Sequence, residues 1–257
     1  MNVFGIERRS NLHSLLYDKK SITVQEAAEK FNVTEETIRR DLRALEAQGL
    51  IIRTHGGAVL ADDIKMEASL EIREGINIEG KNIIGKLAAS LVNDGETLFM
   101  DASTSSLYVA KHLKDKKGLT VITNAERIIL ELSQCSDINV ISTGGFLRKK
   151  SLSCVGRAAE AAVSSYHADK VFFSCKGFSP HLGTTDSNEH ESVIRKLMIQ
   201  HSNESILLCD HTKFQKRGYI VTADLSDITH FITDVFLPED WEEKIINEGV
   251  KIISPNS

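Results

Sequence analysis

No run of about 18 or more apolar residues occurs in this chain of 257, so no bilayer-spanning helix is predicted. The opening stretch MNVFGIERRSNLHSLLYDKK lacks the unbroken apolar core and small-residue cleavage site of a secretory signal. A cytoplasmic protein without membrane contact is expected. Cysteine is scarce. Cys135, Cys154, Cys175 and Cys209 stand singly in apolar segments, with no C-x-x-C pair and no histidine at metal-ligand spacing. They read as reduced core residues, and no metal is expected. Missing too are the glycine-rich phosphate loops G-x-G-x-x-G and G-x-x-x-x-G-K-S/T after any strand pattern, which argues against a dinucleotide-binding protein and leaves no cofactor expected.

What is present suits two soluble domains, since the length exceeds the usual single-domain range and 41% hydrophobic residues suffice for a sizeable core. The net charge of −5 divides unevenly: residues 1–60 carry nine Lys/Arg against eight Asp/Glu, or +1, leaving −6 for the remainder. That asymmetry is too modest to indicate a nucleic-acid contact, so placement must decide.

Residues 7–19 carry Leu12, Leu15 and Leu16 at helical spacing, and SIT follows as a break. Thr23 and Glu26 form a capping-box pattern before a helix with Val24, Ala27, Ala28 and Phe31 on one face. After the turn FNV, Thr34 is the expected N-cap of a third helix, with Glu35 and Glu36 at the positive end of its dipole. Ile38, Leu42 and Leu45 face inward, which leaves Thr37, Arg39, Arg40 and Arg43 outward. Gly49 is the expected helix end, and two short strands, LIIR and AVL, flank the turn THGG. Residues 61–80 read as a linker that becomes helical near Ile76. From residue 81 the pattern alternates strand and helix, which predicts a mainly parallel α/β sheet with its ligand crevice at the carboxyl ends of the strands.

The segment TEETIRRDLRALEAQGLIIRTHGGAV resembles the winged helix-turn-helix of the DeoR family of bacterial transcription regulators of carbohydrate metabolism. The resemblance continues through IGKLAASLVNDGETLFMDASTSS, LTVITNAER, VISTGGFLR, LGTTDSNEHESVIRKLMI and LLCDHTKF, and so spans nearly the whole chain. It implies an α+β DNA-binding domain over 1–60. It further implies a sensor domain over 81–257, an α/β fold similar to ribose-5-phosphate isomerase. Where the family loop commonly reads DSGTTT, this chain has Asp101-Ala102-Ser103-Thr104-Ser105-Ser106. The implied partners are double-stranded operator DNA, a phosphorylated sugar effector and further copies of the chain, as a homo-oligomeric repressor.

For DNA, Thr37 and Arg40 are the expected base-facing residues, an arginine fork matching guanine O6 and N7. Thr34, Glu36, Arg39 and Arg43 support them, with Arg53 and His55 in the wing. The alternative, in which the arginines only pair with Glu35, Glu36 and Glu46, stays open. For the effector, Asp101, Ser103, Thr104 and Ser105 follow a strand and open a helix, a pattern suited to an anion, although simple capping explains one serine. Thr123, Asn124, Gly144, Gly145 and Arg148 come at equivalent strand ends. Asp210 and Lys213 form an ionisable pair at another, with a plain salt bridge as the alternative. Lys176, Asp186, Glu189 and Glu191 complete the candidates. An isomerase with an accessory DNA module is the competing reading. Aldose–ketose conversion needs a carboxylate base. The corresponding segment ADKVFFSCKGFS ends its strand with Ser174, Cys175 and Lys176, leaving only Glu189 as a substitute.

Overall fold

The computed structural model describes residues 3–19, 21–48, 50–60, 67 and 69–255. The chain divides into two units, residues 1–78 and 79–257. In the first, α1 (Val3–Lys19) leads through β1 (Ser21–Thr23) to α2 (Val24–Phe31), α3 (Glu35–Ala47), β2 (Ile51–Arg53), β3 (Gly57–Leu60) and α4 (Leu70–Gly75). The capping box forms: Glu26 N donates to Thr23 Oγ1 at 3.2 Å and Thr23 N to the Glu26 carboxylate at 2.9 Å. Asn32, in the left-handed region at φ 49°, turns the chain into α3. Thr34 caps α3, accepting from Thr37 N at 3.3 Å. Leu12 and Leu16 of α1, Ala27 of α2, and Ile38, Leu42 and Leu45 of α3 bury one another in a shared core.

Three features depart from the sequence reading or lie beyond it. SIT is a strand rather than a break, with Ile22 buried and paired to Ala58 in the antiparallel order β1-β3-β2. One inward side chain in three residues is too short an alternation to register as a period. Asp41, on α3, is buried and held by Arg8 Nε at 2.6 Å and Arg9 Nη1 at 3.6 Å, which fastens α3 to α1. Within the stretch read as a linker, α4 inserts Ile72 into the first core. Gly75 meets α1 so closely that a Cβ there would lie 1.8 Å from Ser10 Oγ. The expected helix end at Gly49 and most of 61–68 lie outside the described residues.

The second unit begins with α5 (Ile78–Ser90), β4 (Thr97–Met100), α6 (Thr104–Lys111), β5 (Leu119–Thr123), α7 (Glu126–Leu132) and β6 (Ile138–Ser142). Then come β7 (Phe146–Arg148), β8 (Ser153–Val155), α8 (Arg157–Ser164), β9 (Ala168–Phe173), β10 (Gly177–Ser179), β11 (Gly183–Asp186) and α9 (Glu189–Gln200). It closes with β12 (Ser202–Leu208), β13 (Ile220–Ala223), β14 (His230–Ile232), α10 (Glu239–Asn247) and β15 (Lys251–Ile253). Seven strands in the order β15-β14-β12-β9-β4-β5-β6 pair in parallel throughout.

Successive strand residues serve opposite faces. Leu98 and Met100 join Ile84, Leu107 and Ile128 of α5, α6 and α7 in one core. Phe99 joins Ala159, Ile194 and Ile245 of α8, α9 and α10 in the other. Burial on both faces explains why these strands are nearly continuous apolar runs. The hairpin β7-β8 and the antiparallel sheet β10-β11-β13 were not anticipated, because their strands of three or four residues carry too little pattern.

The insertion of Ile72 yields a stability expectation. Ile72→Ala should destabilise the first unit by about 2–4 kcal/mol, the usual cost of a truncated buried aliphatic. A fragment ending at Ile78 should therefore unfold at higher urea than one ending at Ala61. Coincident urea midpoints for the two fragments would place α4 outside the unit's cooperative core.

Candidate functional site

On α3 the three-residue turn after α2 presents one exposed face. Arg39 Nη2 meets Glu35 at 2.6 Å, Arg43 Nη1 meets Glu36 at 3.5 Å, and Arg53 Nε of the wing meets Glu46 at 2.6 Å. Such exposed pairs contribute little and exchange readily for other charges. Arg40 is exposed and forms no ion pair with the described residues. Arg39 and Arg43 thus form pairs of the kind the alternative foresees, while Arg40 forms none with the described residues. Thr37 is half-buried beside Arg40's face, its hydroxyl 2.9 Å from that of Thr34, and His55 is exposed in the wing.

In the second unit the sheet order places the carboxyl ends of β12, β9, β4, β5 and β6 side by side. Asp101, directly after β4, is 2% exposed. Its Oδ1 accepts from Ser103 N at 3.1 Å and Ser106 Oγ at 2.6 Å. Its Oδ2 accepts from Ser174 N at 3.1 Å and Arg195 Nε at 2.8 Å. Burial would raise this carboxyl's pKa, but the Arg195 guanidinium and the hydrogen bonds hold it below the usual range. Arg195 also binds Asp186, which accepts from Thr222 Oγ1 at 2.7 Å. Burial disfavours the guanidinium's charge, and Asp186, Asp101 and Glu191 more than restore it.

Beside Asp101, the Lys213 ammonium donates to Ser174 Oγ at 2.6 Å and Ser105 Oγ at 3.1 Å, and lies 3.3 Å from Asp210 Oδ2. Thr212, through its amide at 3.0 Å and its hydroxyl, holds the other Asp210 oxygen. Burial opposes ionisation of Asp210, yet Lys213 and then Lys81 depress its pKa far below the ordinary value. Lys213 is shifted upward, burial being outweighed chiefly by Asp210. Ser103 caps α6, accepting from Ser106 N at 3.0 Å, so capping accounts for that hydroxyl while Ser105 serves the lysine.

The remaining candidates divide. Thr123 Oγ1 donates to Met100 O at 2.6 Å and accepts from Ala125 N, a brace between strand ends. Asn124 donates to Cys154 O at 3.0 Å, while its buried Oδ1 has no hydrogen-bond partner among the described residues. Gly144 and Gly145 take φ of 60° and 117°, which bends the chain into β7. Arg148 Nη1 reaches Glu191 at 2.6 Å, and Ser153 donates to the same carboxylate oxygen. Thr104 is buried, Lys176 is half-buried with its amide on Thr185 O at 3.0 Å, and Glu189 is exposed at the start of α9.

Two buried cations escaped the sequence reading, Arg195 and Lys81, respectively 6% and 2% exposed. Both carried a signal. Arg195 shares a helix face with Glu191 and Met198, and Lys81 precedes the buried Ile84 and Ala88 by three and seven residues.

Residues 8–63 match the DeoR-like helix-turn-helix domain, and residues 76–235 match the DeoR C terminal sensor domain. The HTH-type transcriptional regulator YulB of Bacillus subtilis is 41% identical over 246 residues, covering 96% of this chain and 95% of that protein. The HTH-type transcriptional regulator GolR of Listeria innocua is 36% identical, covering 97% and 98%. The HTH-type transcriptional repressor GlcR of Bacillus subtilis is 34% identical, covering 96% and 95%. A solved ribose 5-phosphate isomerase A of Methanocaldococcus jannaschii is 15% identical with a TM-score of 0.41, covering 55% of this chain and 56% of that one, too loose a likeness to bear on activity. With both units matched and relatives aligned nearly end to end, the chain belongs to the DeoR family and is a transcriptional regulator, not an enzyme.

Proposed function

We propose that this regulator represses a carbohydrate-utilisation operon in the cytoplasm and leaves its operator when a phosphorylated sugar binds the strand-end cleft of the second unit. The observation that carries the effector class is the Lys213 ammonium, held by Ser105 in the first turn of α6 and by Ser174 directly after β9. A cation, small hydroxyls and first-turn helix amides together suit a phosphate. A site for an uncharged sugar would favour aromatic platforms and paired amides, and none of the candidate residues is aromatic. Arg148, Lys176, Asn124 and the Gly144–Gly145 bend supply polar groups for the sugar end. Asp101, Asp186, Asp210, Glu191 and Thr123 hold that cleft in shape, and Ser103, Thr104 and Glu189 border it. The name of GlcR as a repressor supports the sign of regulation.

On the DNA side, Arg40 reads a base with Thr37 beside it, while Arg39, Arg43, Arg53 and His55 approach the backbone and Thr34 and Glu36 order the helix start. A homodimer or tetramer doubles the few contacts one small winged unit makes and matches a two-fold operator. No described helix is long and apolar enough to cross a membrane.

Arg40→Ala should cost about 1–3 kcal/mol of specific operator binding and relax base preference, whereas Arg53→Ala should weaken all sequences alike and lower the salt slope by about one. Titrating operator and scrambled DNA over a salt series separates the two; unchanged affinity and selectivity in Arg40→Ala would move the recognition face elsewhere. Lys213→Ala should still bind operator but no longer respond to inducer. Calorimetry with matched free and phosphorylated sugars tests the effector class directly, and equal affinity for both members of each pair would defeat it.

A further inference from the structure

Two exposed apolar surfaces lie toward opposite edges of the seven-stranded sheet. The first is the hairpin that follows β6. Phe146 and Leu147 are 73% and 43% exposed although successive strand residues point to opposite faces, so β7 is bare on both. Among the described residues β7 pairs with β8 alone, in the register Phe146 to Val155, Leu147 to Cys154 and Arg148 to Ser153. Arg148 fastens the strand inward, to Glu191 at 2.6 Å. Directly after it stand two exposed cations, Lys149 and Lys150. The second surface lies beside β15, the opposite edge strand. A groove of about 500 Å³ between α10 and β15 is lined by Phe236, Leu237, Ile246 and Ile252 together with Glu242 and Lys251, and Phe236 and Ile246 are exposed. The adjoining helix α10 presents four exposed carboxylates, those of Glu239, Asp240, Glu242 and Glu243. Contiguous apolar surface edged by charge marks a site of interaction.

The two surfaces complement each other in chemistry. The hairpin offers bare apolar side chains followed by cations, and the groove offers apolar walls beside carboxylates. One chain cannot join them, because β6 and β15 are six strand spacings apart, about 29 Å. A second copy can. We propose that the β7 hairpin of each copy seats in the α10–β15 groove of the other, Phe146 and Leu147 entering the groove while Lys149 and Lys150 meet the α10 carboxylates. A single two-fold axis then generates both contacts, since residue i of one copy meets residue j of the other and the reverse. This rests on the homo-oligomer reading above and adds the surfaces that assemble it. The β8 pairing and the Arg148–Glu191 contact hold the hairpin in place before it binds, which lowers the ordering cost of association.

The test measures self-association of the full chain by sedimentation velocity over a concentration series at fixed ionic strength. Phe146→Ser should weaken association at least about tenfold, as expected for an aromatic anchor removed from a pocket. The charge reversals Lys149→Glu with Lys150→Glu, and Glu242→Lys with Glu243→Lys, should each weaken it by about tenfold or more, because like charges then face one another in both contacts. All six positions are exposed or edge the surface, and circular dichroism checks that each variant keeps its fold. Mixing the two reversed variants in equal amounts should restore association, since every hairpin in the mixed pair again meets a groove of opposite sign. Unchanged association in the variants would overturn the proposal. So would a mixture that stays dissociated, or groove variants that associate normally while hairpin variants do not, which would seat the hairpin on another surface or another protein. A wild type that is monomeric at every concentration would instead defeat the homo-oligomer reading itself, which keeps the two failures apart.

Discussion

The buried pairing of Asp101 with Arg195 is the constraint on which the sensor unit depends. It joins the end of β4 to α9, and through the same carboxylate it fixes Ser103, Ser106 and the Ser174 amide. Neither ion survives alone at this burial, because an uncompensated charge in the interior costs several kcal/mol. The pair therefore places the first turn of α6 and the end of β9 within reach of one lysine. Ser105 and Ser174 meet at Lys213 only because Asp101 holds their two loops together. A single carboxylate thus acts as scaffold for the hydroxyls, the amides and the ammonium around it.

A comparable division runs through the first unit. Asp41 and Arg8 spend their charges on fastening α3 to α1, in a buried contact that sets the helix's orientation. On the outer face the charges are spent loosely, in solvent-exposed pairs such as Arg39 with Glu35 and Arg53 with Glu46. Buried pairs orient and exposed pairs keep arginines available, since an exposed ion pair is nearly isoenergetic with its separated, hydrated partners. This accounts for a near-neutral unit that contacts a polyanion: net charge says little where placement decides which cations are committed. The fold of the chain is in both units an arrangement for deciding which ionic groups remain free.

Much of this was legible from residue order. The Thr23–Glu26 capping box, the inward Ile38, Leu42 and Leu45 and the strand–helix alternation after residue 81 are local patterns, set by hydrogen bonds and periodicities within one or two turns. Short elements were not legible. β1, β7 and β8 have three residues each and exist because a partner strand supplies their hydrogen bonds, a partner distant in sequence for β1 and the other arm of a hairpin for β7 and β8. Likewise α4 reads as polar linker until α1 is placed against it, when Ile72 and the absent side chain of Gly75 become the point of contact.

The same boundary runs through the candidate residues of each unit. Residue order by itself determined the family resemblance, the helix carrying Arg40 and the strand ends carrying Asp101, Asp210 and Lys213, because each belongs to a contiguous motif. Only the tertiary structure decided that Asp101 is fully engaged by the protein, that Arg195, 94 positions away, holds it, and that Lys81 is buried. The reason is that burial and ion pairing depend on which elements pack together. A lysine or arginine on a helix reads as solvated until the opposing carboxylate, brought by a parallel strand from elsewhere in the chain, makes its burial affordable.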